Sequence, residues 1–143
     1  MRPEDIARVR RDFTRISADP GTFSAKFYDA LFKIEPELRP LFKGDLAVHG
    51  NIFVNSLGVA VGSLEDLDRV ADDLREHGRR IATLGIENRH YAVAAEALLD
   101  AVEASLGHRL DAHDRAAWAT VYARWADITS GAAEQTGHFN GGS

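Results

Sequence analysis

Apolar residues recur along this chain at steps of three and four, and nowhere at steps of two over any length. The pattern is that of successive amphipathic helices. Pro3 suits a first helical position, and Glu4 and Asp5 suit the positive end of a helix dipole. Ile6, Val9, Phe13 and Ile16 then mark one buried face. Asp19-Pro20-Gly21 is expected to break this helix, with Thr22 capping the next. The second helix carries Phe23, Phe27, Tyr28, Leu31, Phe32 and Ile34, a largely aromatic buried face, and Glu35-Pro36 ends it. A helical turn from 36 to 38 leads to Pro40-Leu41-Phe42 and a Lys43-Gly44 corner.

Asp45 is placed to cap a third helix from 46 to about 62, with Leu46, Ile52, Phe53, Leu57 and Ala60 at the helical period. Gly50, Gly58 and Gly62 each disfavour a helix by about 1 kcal/mol relative to Ala, so close approach to another element is the expected reason for them. Ser63 is the expected cap of a fourth helix carrying Leu64, Leu67, Val70 and Leu74, with Asp on its other face. After a Leu84-Gly85-Ile86 corner, Asn88 opens a helix with Tyr91, Ala94, Ala95, Leu98, Leu99, Val102 and Leu106 inward and Gly107 as its stop. Asp111 or Asp114 starts the last helix, whose buried face holds Ala117, Trp118, Val121, Tyr122, Trp125 and Ile128. No internal repeat or heptad seam is present. The expectation is an all-α chain of about six or seven helices joined by short corners. It forms a single domain over 1–143, with a Gly-rich polar tail at 131–143 that frays.

Composition narrows the function. A length of 143 residues is enough for one buried core. The net charge is -5 and basic residues stand singly or in pairs such as Arg10-Arg11 and Arg79-Arg80, the pattern of a solvated face, so the basic stripe of a nucleic-acid surface is missing. No apolar run approaches the roughly 20 residues that span a bilayer. Met-Arg-Pro-Glu-Asp is not followed by the apolar stretch of a signal peptide. With no Cys, disulfides, thiol catalysis and Cys-based metal sites are excluded, and a cytoplasmic location is expected. No Ser/His/Asp or paired-carboxylate constellation points to an enzyme working without a cofactor. Apolar faces at a dimer contact read the same as core faces, so the pattern leaves the oligomeric state open.

Four segments together carry a family resemblance. The first is Phe27-Tyr28-Asp29-Ala30-Leu31-Phe32 with Glu35-Pro36 and Leu41-Phe42. The second is Gly44-Asp45-Leu46-Ala47-Val48-His49-Gly50, running on to Leu57-Gly58 and Val61-Gly62. The third runs from Leu74 through His77-Gly78-Arg79-Arg80-Ile81 to Gly85-Ile86, and the fourth is His90-Tyr91 with Glu96-Ala97-Leu98-Leu99, then Ala117-Trp118 and Tyr122. The chain resembles the globins, single-domain bacterial haemoglobins first and neuroglobin-like proteins a step further off. The resemblance spans about Phe23 to Ile128 and has no gap from Asp45 to Leu99. It implies a globin fold around a pocket for haem b, which binds a diatomic gas or carries redox chemistry served by a separate reductase. Position by position it implies Tyr28 and His49 in the distal pocket, Phe42 packed on the porphyrin, and Phe53 one turn beyond His49. A Tyr hydroxyl and an imidazole over a dry pocket can hydrogen-bond a ligand bound to iron. Arg79 and Arg80 are candidates for the haem propionates.

The same alignment puts Ile81 where the family has its proximal His, and Ile cannot ligate iron. Two residues are candidates for the metal. His77 lies four residues earlier on the same helical face, but one turn is about 5.4 Å, so the fourth helix is expected to slide or tilt if His77 is to reach iron. The other candidate is His49, ligating from the distal side. His90 is read as a non-ligand, and His108, His113 and His138 as solvated. Family members with oxidative activity pair a Tyr after the corner with a Glu on the last helix. Tyr91 is present, but the last-helix position falls on Ala133, beside Glu134, so enzymatic activity stays open. Ile81 also supports an alternative: a haemless globin-fold module that binds a small apolar ligand or a partner protein.

Overall fold

The computed structural model describes the backbone of residues 1–142 and the side chains of residues 1–131. Ala133, Glu134, His138 and nearly all of the expected tail therefore lie outside the described side chains. In chain order the elements are α1 (Pro3–Ile16), α2 (Pro20–Ile34), a 3₁₀ segment (Pro36–Leu41), α3 (Leu46–Gly62), a second 3₁₀ segment (Leu67–Val70), α4 (Ala71–Thr83), α5 (Asn88–Leu106) and α6 (Ala112–Gly142). The described chain is all-α, and none of its helices is long and apolar enough to cross a membrane. α2 packs across α5 and α3, α4 lies along α6, and α1 braces α6 from the other end. Phe23, Leu57, Leu74, Leu98, Trp118 and Trp125 are fully enclosed at the centre.

Several helix starts differ from the expectation, each for a local reason. α2 begins at Pro20, whose fixed φ and missing N–H suit a first position, and Asp19 is its cap. The Asp19 carboxylate accepts from the Thr22 N–H at 3.2 Å and from the Thr22 hydroxyl at 2.6 Å. α5 is capped by Glu87 rather than Asn88, through a reciprocal pair in which the Glu87 N–H donates to His90 Nδ1 at 2.9 Å. Asp111, not Asp114, opens α6, its carboxylate accepting the Asp114 N–H at 2.8 Å. The fourth helix does not run on from Ser63, because Asp66 takes a non-helical conformation (φ -155°, ψ 77°) and splits off the second 3₁₀ segment. Ile34, expected inside, ends α2 on the solvent side and is 39% exposed.

Two of the three α3 glycines meet the expectation of close approach. A Cβ at Gly50 would collide with the Ser24 side chain of α2, and one at Gly58 would press on the Phe13 ring of α1. Gly62 has nothing within 4 Å and needs no such account. The tightest crossing belongs to Gly78 on α4, which lies directly against the Thr129 backbone of α6.

The Arg10-Arg11 pair, though still facing solvent, is tied into ion pairs. Arg10 makes a two-pronged ion pair with Glu65 (2.7 and 2.6 Å) that holds the Glu65 carboxyl at about 2. Arg11 reaches Asp12 at 3.3 Å and Asp114 at 3.2 Å, and Arg8 reaches Asp114 at 3.0 Å. Asp12 is buried and accepts the Trp118 indole N–H at 3.1 Å. Its charge is thus kept paired and hydrogen-bonded, as burial demands.

Candidate functional site

A mostly apolar pocket, partly open to solvent, lies between α2, α3, α4 and α5 with α6 as its floor. Of the residues singled out from the sequence, Tyr28, Phe42, His49, Phe53, His77, Arg80, Ile81 and Tyr91 line it, and Arg79 does not.

The α2–α3 side is aromatic. Tyr28 meets Phe42 and Phe27 edge-on, each at 5.2 Å between centroids, and Phe27 stacks on Phe53 at 4.4 Å. Burial pushes the Tyr28 phenol well above its ordinary range, so it stays a protonated donor. His49 presents its ring to Phe42 at 5.4 Å, but its Nε2 is within 2.7 Å of the Lys43 carbonyl, to which it donates. That nitrogen is therefore committed to the corner.

The α4 wall holds His77, Arg80, Ile81 and Leu84. His77 is half-buried and sits mid-helix rather than near a helix end, 5.6 Å from the Trp125 ring, and its Nε2 is enclosed with no hydrogen-bond partner among the described residues. Burial first, and then the charge of Arg80, lower its pKa to about 4, so the imidazole is neutral near pH 7. A neutral, unpartnered imidazole nitrogen in an apolar cavity is the form in which His binds a metal. Gly78, next to it, lets α4 pack directly against the Thr129 backbone of α6. Arg79 points away and pairs with Glu76 at 2.9 Å, which leaves Arg80 as the arginine on the pocket.

The α5 side contributes His90 and Tyr91. The Tyr91 carbonyl accepts the Tyr122 hydroxyl at 2.8 Å, while the Tyr91 hydroxyl is buried without a hydrogen-bond partner of good geometry. Burial raises the Tyr91 pKa, against a smaller opposing effect of the nearby Thr129. His90 Nδ1 takes the Glu87 N–H, so Nε2 of the neutral ring carries the proton, 3.9 Å from Glu37. Glu35, Glu37 and His90 bring three ligand-type atoms within 4.8 Å of one another. Arg89 already bridges both carboxylates (3.6 and 2.9 Å), and the protonated Nε2 has no free lone pair, so this is an ion-pair cluster at the pocket mouth, not a metal centre. His108 and His113 are exposed, as expected.

Sequence reasoning missed Leu38, Ile52 and Leu84 as pocket walls, and gave Tyr122 and Trp125 only as inward residues of the last helix. Their spacing marks them as buried but says nothing of whether the space beside them is filled.

The model of the globin family, described simply as Globin, matches residues 25–128. The chain belongs to the globin family. Among its relatives, the neuroglobin of Dissostichus mawsoni is 27% identical over 133 residues, covering 83% of this chain and 84% of that one. The flavohemoprotein of Bacillus subtilis is 25% identical over 113 residues, 77% of this chain but 28% of that protein. The bacterial globin of Campylobacter jejuni superposes with a TM-score of 0.83 at 19% identity, over 94% of this chain and 98% of that one, a likeness of fold.

The lowered pKa of the half-buried His77 is expected to make the stability of this globin pH-dependent. Its folded pKa of about 4 lies below the ordinary value of 6.5, so the unfolded chain binds the extra proton first. The contribution is complete above the unfolded value and is lost as pH falls toward the folded one. Urea unfolding of the haem-free protein is expected to lose on the order of 2–3 kcal/mol between about pH 7 and pH 4 that His77→Leu does not lose. Parallel pH profiles of the two proteins would overturn the assignment of His77 as a half-buried neutral imidazole.

Proposed function

We propose that this globin binds haem b in the pocket, with His77 as the iron ligand from the α4 side, and that a diatomic gas or a redox reaction is served under Tyr28 and His49. One observation carries the reading: the enclosed, neutral, unpartnered Nε2 of His77. His49, the rival ligand, has its Nε2 bonded to Lys43. Buried polar atoms are normally satisfied, so one left open on a cavity wall favours a partner that belongs in the cavity.

Other residues take supporting roles. Phe42, Phe53, Ile81 and Leu84 supply apolar surface for a flat macrocycle and keep water from its faces. Arg80, which has no ion pair among the described residues, is placed for a carboxylate at the pocket edge. The Tyr28 phenol, held protonated by burial, donates toward a small bound ligand. Haem, when present, supplies an iron that takes up a small ligand and changes oxidation state. The likeness to a flavohemoprotein over part of its length supports a separate reductase as the electron source.

Ile81 favours a second reading, a haemless module whose pocket takes a small apolar molecule or a partner protein. Hemin titration separates the two. The first expects a Soret band and uptake of one haem per chain. A protein that stays colourless with added hemin would leave only the second.

A further inference from the structure

A second cavity lies beside the pocket, between α3 and α4, with about 870 Å³ of space largely continuous with solvent. Its walls are more polar than those of the pocket: Asn55 and Ser56 on α3, and Asp73 and Glu76 on α4. Ile52, His77 and Arg80 border both cavities, so these three side chains form the partition. The inner end is rigid, because the Ser56 hydroxyl accepts the Trp125 indole N–H at 3.0 Å. Arg80 is the exposed, long-chained member of the partition, and exposed side chains change rotamer in picoseconds to nanoseconds. Two carboxylates, Asp73 and Glu76, and one arginine, Arg80, line the chamber, and Glu76 also pairs with Arg79 at 2.9 Å.

From this geometry we infer that the chamber is a second entrance to the pocket, admitting water and small neutral polar molecules to its α4 side past Arg80. The inference rests on the reading of His77 as the α4-side ligand. It sets this entrance apart from the mouth at Phe42 and His49, so the two sides of the pocket are supplied separately. The chamber's two carboxylates discourage anions, and its amide and hydroxyl groups suit a neutral hydrogen-bonding solute.

Imidazole is the probe. In the haem-loaded full chain, His77→Gly is expected to lose the absorption spectrum of the parent, and added imidazole to restore it. Asn55→Trp, at an exposed position on the chamber wall, is expected to slow that restoration about tenfold or more while carbon monoxide association at the other side stays unchanged. Val59→Trp, on the same wall, is the second variant and is expected to act alike. Equal imidazole rates in both Trp variants would overturn the entrance and leave His77 as ligand. A His77→Gly spectrum identical to the parent's would overturn the ligand assignment, and the inference with it. In haem-free His77→Gly, imidazole is expected to shift the amide resonances of Asn55, Ser56 and Glu76; shifts confined to Lys43 and Phe42 at the opposite mouth would also overturn the entrance.

Discussion

Replacing His77 with Ala is expected to lower haem affinity by about 100-fold or more and to shift the Soret band, while the helical content of the apoprotein stays the same. The size follows from chemistry: loss of an outer-shell partner alone typically costs 10–100-fold, and His77 is placed in the inner shell. The apoprotein should tolerate the change because the ring makes no hydrogen bond through its enclosed nitrogen, so little native interaction is lost. Rescue sharpens the result. Ile81→His added to His77→Ala puts an imidazole one turn further along the same wall, where the family has its ligand, and is expected to restore a histidine-ligated spectrum. Hemin titration monitored by absorbance gives both numbers. If His49→Ala abolishes the band and His77→Ala leaves it unmoved, ligation comes from the α3 side and the proposed role of His77 is wrong.

Gly78→Ala is expected to destabilise the protein by about 3 kcal/mol, a large value for one methyl group. The added Cβ would lie 2.9 Å from the Thr129 carbonyl carbon, 3.1 Å from its Cα and closer still to its oxygen. Those atoms are backbone within α6 and cannot rotate aside, so α4 must move as a body. Because α4 carries His77, Arg80 and Ile81, haem affinity is expected to fall as well. Gly62→Ala is the control: nothing lies within 4 Å, and the change should be neutral or stabilising by up to about 1 kcal/mol. Urea denaturation of both variants decides the matter. Equal stabilities would mean that the α4–α6 crossing is looser than the structure has it.

These two glycines show where sequence reading reaches its limit. The helical period placed the inward faces of α1, α2, α5 and α6 well, because burial and a repeat of 3.6 residues are properties of single segments. The aromatic face of α2 and the corner before Phe42 located the pocket for the same reason. Caps were harder. Asp19 caps in place of Thr22, Glu87 in place of Asn88, and Asp111 rather than Asp114, and shifts of one to three positions leave little trace in composition. Contacts between distant segments left no trace at all: nothing near Gly78 announces Thr129, and nothing near Arg11 announces Asp114. The anomaly at Ile81 was plain in the sequence. What His77 does about it depends on which nitrogen is enclosed, and that is a property of the folded pocket.

The Asp12–Trp118 hydrogen bond spans 106 positions of the chain, and Asp12 precedes the segment matched by the family. Synthesis delivers the acid long before the indole. At translation speeds of about 5–20 residues per second, Asp12 waits several seconds in water for its partner, while α2 and the helices after it are still being made. The last helix is therefore the closing piece: only when Trp118 emerges can the first helix bury its carboxylate. A fragment trimmed to the matched region would lack all of α1, and with it both Asp12 and the cover that α1 gives the Trp118 side of α6. The cooperative unit of this globin starts earlier than the stretch by which its kinship is recognised.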